Sequence, residues 1–235
     1  MKVAQISNCI WQLTRLGSFN CQLVRDEDES LTLIDTGLKG TADSILATAK
    51  SIGLPIRRIL LTHAHMDHVG SLDQVTALTG PVEVIIGERE SRLYEGNFTL
   101  DPNEPQTKIR GGFKECKTIL TRLPQGDEHV GPFRAIFAPG HTPGHLAYFD
   151  ERDHSLFAGD ALSSVGRLTV SGVFNWLFPF PVFATWHFAT AIETAERLAA
   201  LNPRLLVLGH GKVLESPRLL MERAIAAAKR KLRAG

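Results

Sequence analysis

Thr62-His63-Ala64-His65-Met66-Asp67-His68 packs three imidazoles and a carboxylate into six consecutive residues, directly after the apolar run Arg58-Ile59-Leu60-Leu61. In extended or loop backbone, residues two apart face the same side, whereas on a helix His63 and His65 would diverge by about 200°. The two can therefore ligate one ion. Asp67 and His68 point differently and leave room for a second ion beside the first. Three histidines and an aspartate at this spacing read as a metal site rather than a solvated loop. The preceding run reads as a short buried strand after Pro55, so the cluster sits at a strand's C-terminal end, where α/β folds place ligands.

The surrounding chain agrees with that placement. Ile10 to Thr14, Cys21 to Arg25 and Leu31 to Ile34 read as an antiparallel meander, with turns at Gly17-Ser18 and at Asp26 to Ser30. Thr41 to Ile52 has helical spacing and closes at Gly53. Further helices are expected at Ser71 to Leu78, Glu88 to Tyr94, Ala184 to Leu201 and Pro217 to Leu232. Strands are expected at Val82 to Ile86, Thr118 to Leu123, Phe133 to Ala138, Leu146 to Phe149, Ser155 to Ala158 and Leu205 to Leu208. Between them, Glu95 to Glu115 has little apolar periodicity and holds Gly96, Pro102, Pro105 and Gly111-Gly112, the marks of a surface excursion of the lid or cover type.

Three more candidates follow strands at glycine-bearing turns: His141 in Pro139-Gly140-His141-Thr142-Pro143-Gly144-His145, Asp160 in Ala158-Gly159-Asp160, and His210 in Leu208-Gly209-His210-Gly211. Each is delivered as His63 is. Glycine allows a sharp turn and close approach, so the repeated arrangement converges on one sheet edge. His129, His154 and His187 have no partners at ligand spacing.

Taken together these pieces resemble the metallo-β-lactamase-fold hydrolases, in the binuclear branch with the His-x-His-x-Asp-His motif, over nearly the whole chain. The resemblance implies an α/β (α+β) fold, a four-layer αββα sandwich with the site at one edge between the sheets. It implies that His63, His65 and His141 hold one metal and Asp67, His68 and His210 a second, with Asp160 bridging. Asp35, in Leu33-Ile34-Asp35-Thr36-Gly37, matches a family position that supports the ligand loop. His145 follows the ligand position of its motif and is left out of the metal set. Imidazole and carboxylate donors without thiolate suit two divalent ions, zinc first, with manganese, iron or cobalt also fitting. Such a pair would hold a bridging hydroxide at neutral pH, and Asp67 beside it serves as proton acceptor or shuttle as well as ligand. No Gly-x-Ser-x-Gly elbow is present.

Composition narrows the partners. The formal net charge is +1, which argues against nucleic-acid binding and leaves a small-molecule substrate as the default. The 235 residues show no composition break, so one domain over residues 1–235 is expected. Cys9, Cys21 and Cys116 are odd in number and form no CxxC pair, which fits a reducing, cytoplasmic setting. No signal-peptide core and no membrane-span candidate is seen.

Substrate choice falls to Phe174 to Phe188, where Phe174, Trp176, Phe178, Phe180, Phe183, Trp186 and Phe188 crowd fifteen residues. Pro179 and Pro181 exclude a regular helix through the middle. Phe174, Trp176, Phe178 and Phe180 are expected to form an apolar wall over the site, or else a core or homodimer contact. Ser163 stands where the family's quorum-quenching lactonases carry a tyrosine, and the chain has no room for the helical domain of glyoxalase II. The expected activity is hydrolysis of a carboxylic ester or lactone with an apolar acyl or aryl group. Phosphodiester, thioester and β-lactam cleavage stand behind it, and an iron-binding redox role further back.

Overall fold

In the computed structural model, which describes residues 1–234, two six-stranded sheets face each other and helices cover both outer faces. The first sheet follows chain order: β1 (Lys2–Gln5), β2 (Ile10–Arg15), β3 (Phe19–Arg25), β4 (Leu31–Ile34), β5 (Ile56–Leu60) and β6 (Glu83–Ile85). β2, β3 and β4 form the expected antiparallel meander, and β1, which was not expected, adds to its edge. The β4–β5 and β5–β6 pairs are parallel because helices intervene: α1 (Ala42–Ile52), then α2 (Met66–Val69) and α3 (Leu72–Thr79). The helix α4 (Glu88–Tyr94) follows β6.

The second sheet is built from β7 (Glu128–Val130), β8 (Phe133–Phe137), β9 (Leu146–Asp150) and β10 (Ser155–Phe157). After the small hairpin β11 (Leu162–Ser163) and β12 (Thr169–Val170) come α5 (Phe180–Ala184) and α6 (Phe188–Ala200). Strands β13 (Leu205–Val207) and β14 (Leu214–Glu215) and helix α7 (Arg218–Ala234) complete the chain. The order β14-β13-β10-β9-β8-β7 places β13 parallel to β10, with α6 in the crossover.

Three apolar clusters account for the four layers. Ile10, Val24, Ile34, Leu60 and Ile85 of the first sheet pack against Phe133, Leu146, Tyr148, Phe157 and Val207 of the second. The outer face of the first sheet is closed by Ile45, Leu72, Val75 and Leu93, and that of the second by Ile192, Leu198, Met221 and Ile225. The central strands are therefore buried on both faces, and all four residues of β4, Thr32 included, are buried for that reason.

Three sequence expectations differ from the structure. Thr118 to Leu123 is no strand of a sheet: it follows β6 through one parallel bridge, Ile85 to Arg122, and leaves Ile119 exposed. The helix expected from Ala184 starts at Phe188, where His187 accepts the amide of Thr190 as the cap. The prolines of the aromatic segment do not prevent a helix. Pro181 lies in the first turn of the short α5, where a missing N–H costs no helical bond.

Candidate metal centre

Asp35 follows β4 with φ of +56°, a left-handed conformation that turns its side chain toward the next strand. One carboxylate oxygen accepts from the Thr62 amide at 2.8 Å, and the other from Thr62 Oγ1 at 2.8 Å and from His68 Nδ1 at 2.7 Å. The loop that opens after β5 is thereby fixed at both ends. His65, with φ −66° and ψ 147°, is extended, so the two-apart argument for His63 and His65 applies.

Each of five histidines gives one ring N–H to an acceptor outside the site and turns its other nitrogen inward. His63 Nδ1 faces Thr62 Oγ1 at 3.0 Å, whose own proton goes to Asp35. His65 Nε2 donates to the Arg110 carbonyl at 3.0 Å, and His68 Nδ1 to Asp35. His141 Nδ1 faces Thr185 Oγ1 at 3.3 Å, and His210 Nδ1 the Ser18 carbonyl at 3.3 Å. These outward bonds fix tautomer and ring orientation.

The inward atoms converge. His63 Nε2 and His141 Nε2 each lie 3.0 Å from His65 Nδ1. His210 Nε2 is 3.0 Å from Asp160 and 3.3 Å from Asp67. His63, His65 and His141 form one group able to hold an ion, Asp67, His68 and His210 another, and His63, His68 and Asp160 link them. All seven expected residues are thus brought together. His68 Nε2 and Asp160 Oδ1 are buried 3.3 Å apart without a well-aligned hydrogen bond, even to each other. Buried polar atoms are rarely left so, and a cation would satisfy both. The donor set therefore fits divalent metal.

Electrostatics divide the groups. Burial holds His63, His65 and His141 below the usual histidine range, so they are neutral and ready to coordinate. Burial also works against charge on His68 and His210, but Asp160 with Asp35 and Asp67 raises His68 well above its ordinary value. Asp160 and Asp67 push His210 up to about 9. Asp67 and Asp160 are disfavoured as anions by burial, yet His68 and His210 hold both below the carboxylate range.

Glycines bring backbone close to the ligands. A Cβ on Gly209 would stand 2.4 Å from Asp160 Oδ1 and 2.6 Å from His68. One on Gly111, where φ is +102°, would stand 2.0 Å from His65 Nε2. The Glu95 to Glu115 stretch, expected as a cover, therefore ends as a brace: Arg110 accepts from His65, and Met66 N donates to Gly112 O.

Two supporting residues complete the surroundings. His145, driven down to about 3 by burial, accepts the Asp160 amide on Nε2 at 3.1 Å. Glu90 of α4, which the sequence reading passed over, accepts from Ala64 N at 2.9 Å, Thr142 Oγ1 at 2.8 Å and Gly144 N at 3.0 Å. Its signal was present, since Glu90 precedes the buried Leu93 and Tyr94 by three and four residues and so shares the inward face of α4.

A cleft of about 300 Å³ opens onto the inward atoms between Phe19, Leu38 and Met66 on one side and Phe180, Pro181, Phe183 and Ala184 on the other. Of the four aromatics expected there, Phe180 lines it. Phe178 is buried beneath, its ring 4.6 Å from that of His210. Phe174 and Trp176 stack on each other outside the lining, with Trp176 87% exposed. Phe19, Leu38 and Met66 were missed because strand 3 and the ligand loops carry them to the cleft from distant parts of the sequence.

The model of the metallo-beta-lactamase superfamily matches residues 15–210. The chain belongs to that superfamily. It is 44% identical over 234 residues to the uncharacterized protein YobT of Bacillus subtilis, covering 98% of this chain and all of that one. With the hydroxyacylglutathione hydrolase GloC of Haemophilus influenzae it shares 27% identity, over 82% of this chain and 85% of the other. Among solved structures, TTHA1623 in a di-iron-bound form superposes with a TM-score of 0.63 at 25% identity, covering 88% of this chain and 94% of that one. The two sheets and their flanking helices are the superfamily's fold, and membership makes the chain a metallo-hydrolase by family. Among the described residues, no helix is long and apolar enough to cross a membrane.

Proposed function

We propose that the chain is a dinuclear metal-dependent hydrolase of carboxylic esters or lactones bearing an apolar acyl or aryl group. The observation that carries this reading is two adjoining three-residue groups, linked through Asp160, at the floor of an apolar cleft whose lining includes no lysine or arginine. Two divalent ions, zinc in this reading, would supply a Lewis acid for the substrate carbonyl and a water acidic enough to attack at neutral pH.

The chain's own residues perform the rest. Asp67 lines the cleft and, with its side chain 19% exposed, is more open than the other carboxylate, Asp160 at 5%. Ionised and 3.3 Å from His210, it is placed to take the proton of the attacking water and, because its carboxyl is held below the usual range, to pass it on promptly to the leaving oxygen. The walls formed by Phe180 and Phe183 against Phe19 and Leu38 hold the acyl group and exclude bulk water. The products are a carboxylic acid and an alcohol, or one hydroxy acid from a lactone.

A glutathione thioester, the substrate class in GloC's name, carries carboxylates for which the cleft lining offers no cation, so thioesters rank behind neutral esters. Three unpaired cysteines support a reducing, cytoplasmic setting. Exposed Trp176, Leu177 and Phe183 support self-association into a homodimer, which sedimentation of a Trp176→Ser variant tests by loss of the heavier species.

The decisive experiment is a panel of lactones, aryl esters, thioesters, phosphodiesters and β-lactams on metal-replete enzyme, with ions counted per chain. Two ions, preference for apolar esters or lactones, and loss of metal and turnover in Asp160→Ala are expected. Full turnover in that variant, or preference for phosphodiesters, would sink the reading.

A further inference from the structure

We propose that Glu90 is the positioning residue of one ion site only: it sets the His63–His65–His141 group, and its loss weakens that site while the Asp67–His68–His210 site keeps its ion. The inference rests on the two-ion reading above.

Glu90 is fully buried and makes no hydrogen bond to any of the seven candidate ligands, yet it joins the stretch before α2 that carries His63 and His65 to the turn that carries His141. Its Oε1 takes the amide of Ala64, the residue between His63 and His65. Its Oε2 takes Thr142 Oγ1 and the Gly144 amide, just after His141. These loops are 76 residues apart at the His65–His141 contact and come from different sheets, so their spacing is set by what bridges them. Of the two oxygens of one carboxylate, each is committed to one loop. That makes Glu90 a spacer between His65 and His141.

The helix beneath it is fixed. A Cβ on Gly144 would lie 2.2 Å from Glu90 N, so α4 and the His141 loop meet backbone against backbone. Leu93 and Tyr94 anchor α4 in the outer core of the first sheet. The carboxylate is therefore held from behind and pulls both loops to one distance.

The other group has different supports. His68 is oriented by Asp35, His210 by the Ser18 carbonyl, and none of the three hydrogen bonds of Glu90 goes to Asp67, His68 or His210. Asp35 is less selective, because it holds His68 directly and His63 through Thr62. One buried acid thus serves a single site and the other serves both.

Glutamine would keep the size of the side chain but offer one acceptor, and would set an amide N–H against the loop donors. Zinc-loaded wild type, Glu90→Gln, Thr142→Val and Asp35→Asn are titrated with a chelator, and ions retained per chain are counted by mass spectrometry. A parallel cobalt-loaded series reads the ligand field of each site by absorption. Wild type should release zinc in two steps. In Glu90→Gln one step should move to about 10–100-fold weaker affinity, the range for residues that orient ligands, with the other unmoved. Thr142→Val, which removes one of the three bonds, should shift the same step less, and it carries the test if Glu90→Gln fails to fold. Asp35→Asn should shift both. Equal movement of both steps in Glu90→Gln, as a general loss of stability would give, or movement of neither, overturns the inference. A wild type that binds a single ion overturns the two-ion reading and this inference with it, an outcome visible before any variant is compared.

Discussion

His65 turns its Nδ1 toward His63 and His141 because its Nε2 is committed to the carbonyl of Arg110, 3.0 Å away. Had that nitrogen faced inward instead, the imidazole would have to rotate about its Cβ–Cγ bond and abandon the Arg110 bond. The two are 45 positions apart, and the chain between them includes α3, β6, α4 and a long irregular stretch, all of which must be in place before the carbonyl arrives. An irregular segment here sets the direction of a ligand.

Substituting Gly111 tests this. Its φ of +102° strains any side chain, and a Cβ would fall 2.0 Å from His65 Nε2. Gly111→Ala should displace the His65 ring, weaken zinc by about 10–100-fold and lower turnover in proportion at limiting metal. Metal titration followed by activity checks it, and wild-type zinc affinity in the variant would contradict the role given to Arg110.

Glu90 should leave a pH signature on the stability of metal-free protein. Burial lifts its carboxyl from 4.5 to about 7 against the pull of its three donors. Between those values the folded protein binds the proton more tightly than the unfolded chain, so this group's effect on stability falls as pH rises through the window. The cost is fully present above pH 7 and amounts to about 3 kcal/mol. Urea denaturation of wild type and Glu90→Gln at pH 5 and 8 should show wild type gaining on the variant at the lower pH by up to that amount. A pH-independent difference would contradict it.

The cleft wall predicts selectivity. Phe183 lines the cleft and is 67% exposed without substrate. Phe183→Ala should lower kcat/KM for butyryl or phenyl esters by about tenfold, the worth of one or two methylene contacts, and leave acetyl esters little changed. The ratio of the two kcat/KM values is the readout. An equal fall for both would mean that the ring does not contact the acyl group.

Metal removal should destabilise. His68 Nε2 and Asp160 Oδ1, which make no well-aligned hydrogen bond, gain a partner when a cation is present. Chelation should lower Tm, and added zinc should restore it in a concentration-dependent way, with the unfolding free energy rising by about 2.7 kcal/mol at a hundredfold excess over Kd. Asp160→Asn, which removes the linking charge, should show little zinc-dependent change in a calorimetric scan.

The seven candidate side chains and the alternation of strands and helices were legible because both are local patterns, whereas the four-layer order was implied by the family resemblance and not by any local pattern. What escaped the sequence was carried by contacts across it. Glu90 looks like an ordinary charged helix residue until Ala64 and Gly144 are seen on either side of it. Thr118 to Leu123 has strand composition, but β6 is three residues long and offers it a single bridge. Phe174 and Trp176 share a segment with Phe180, but Phe180 opens the short helix α5, which a proline in its first turn permits, while the other two lie in the irregular stretch before it. Phe19 was invisible as a wall residue because its strand approaches His210 only after the two sheets have docked.

That last contact has a consequence for assembly. Asn20 N donates to Gly209 O and Gly211 N to Ser18 O, so the start of β3 and the His210 loop are stitched together across the seam between the sheets. Each three-residue group is likewise split: His63 and His65 wait for His141, and Asp67 and His68 wait for His210. Neither sheet owns a complete cage. A chain cleaved in the loop between β6 and β7 would therefore present two half-cages, and zinc would act as the clasp whose concentration decides how much of the nicked protein stays closed.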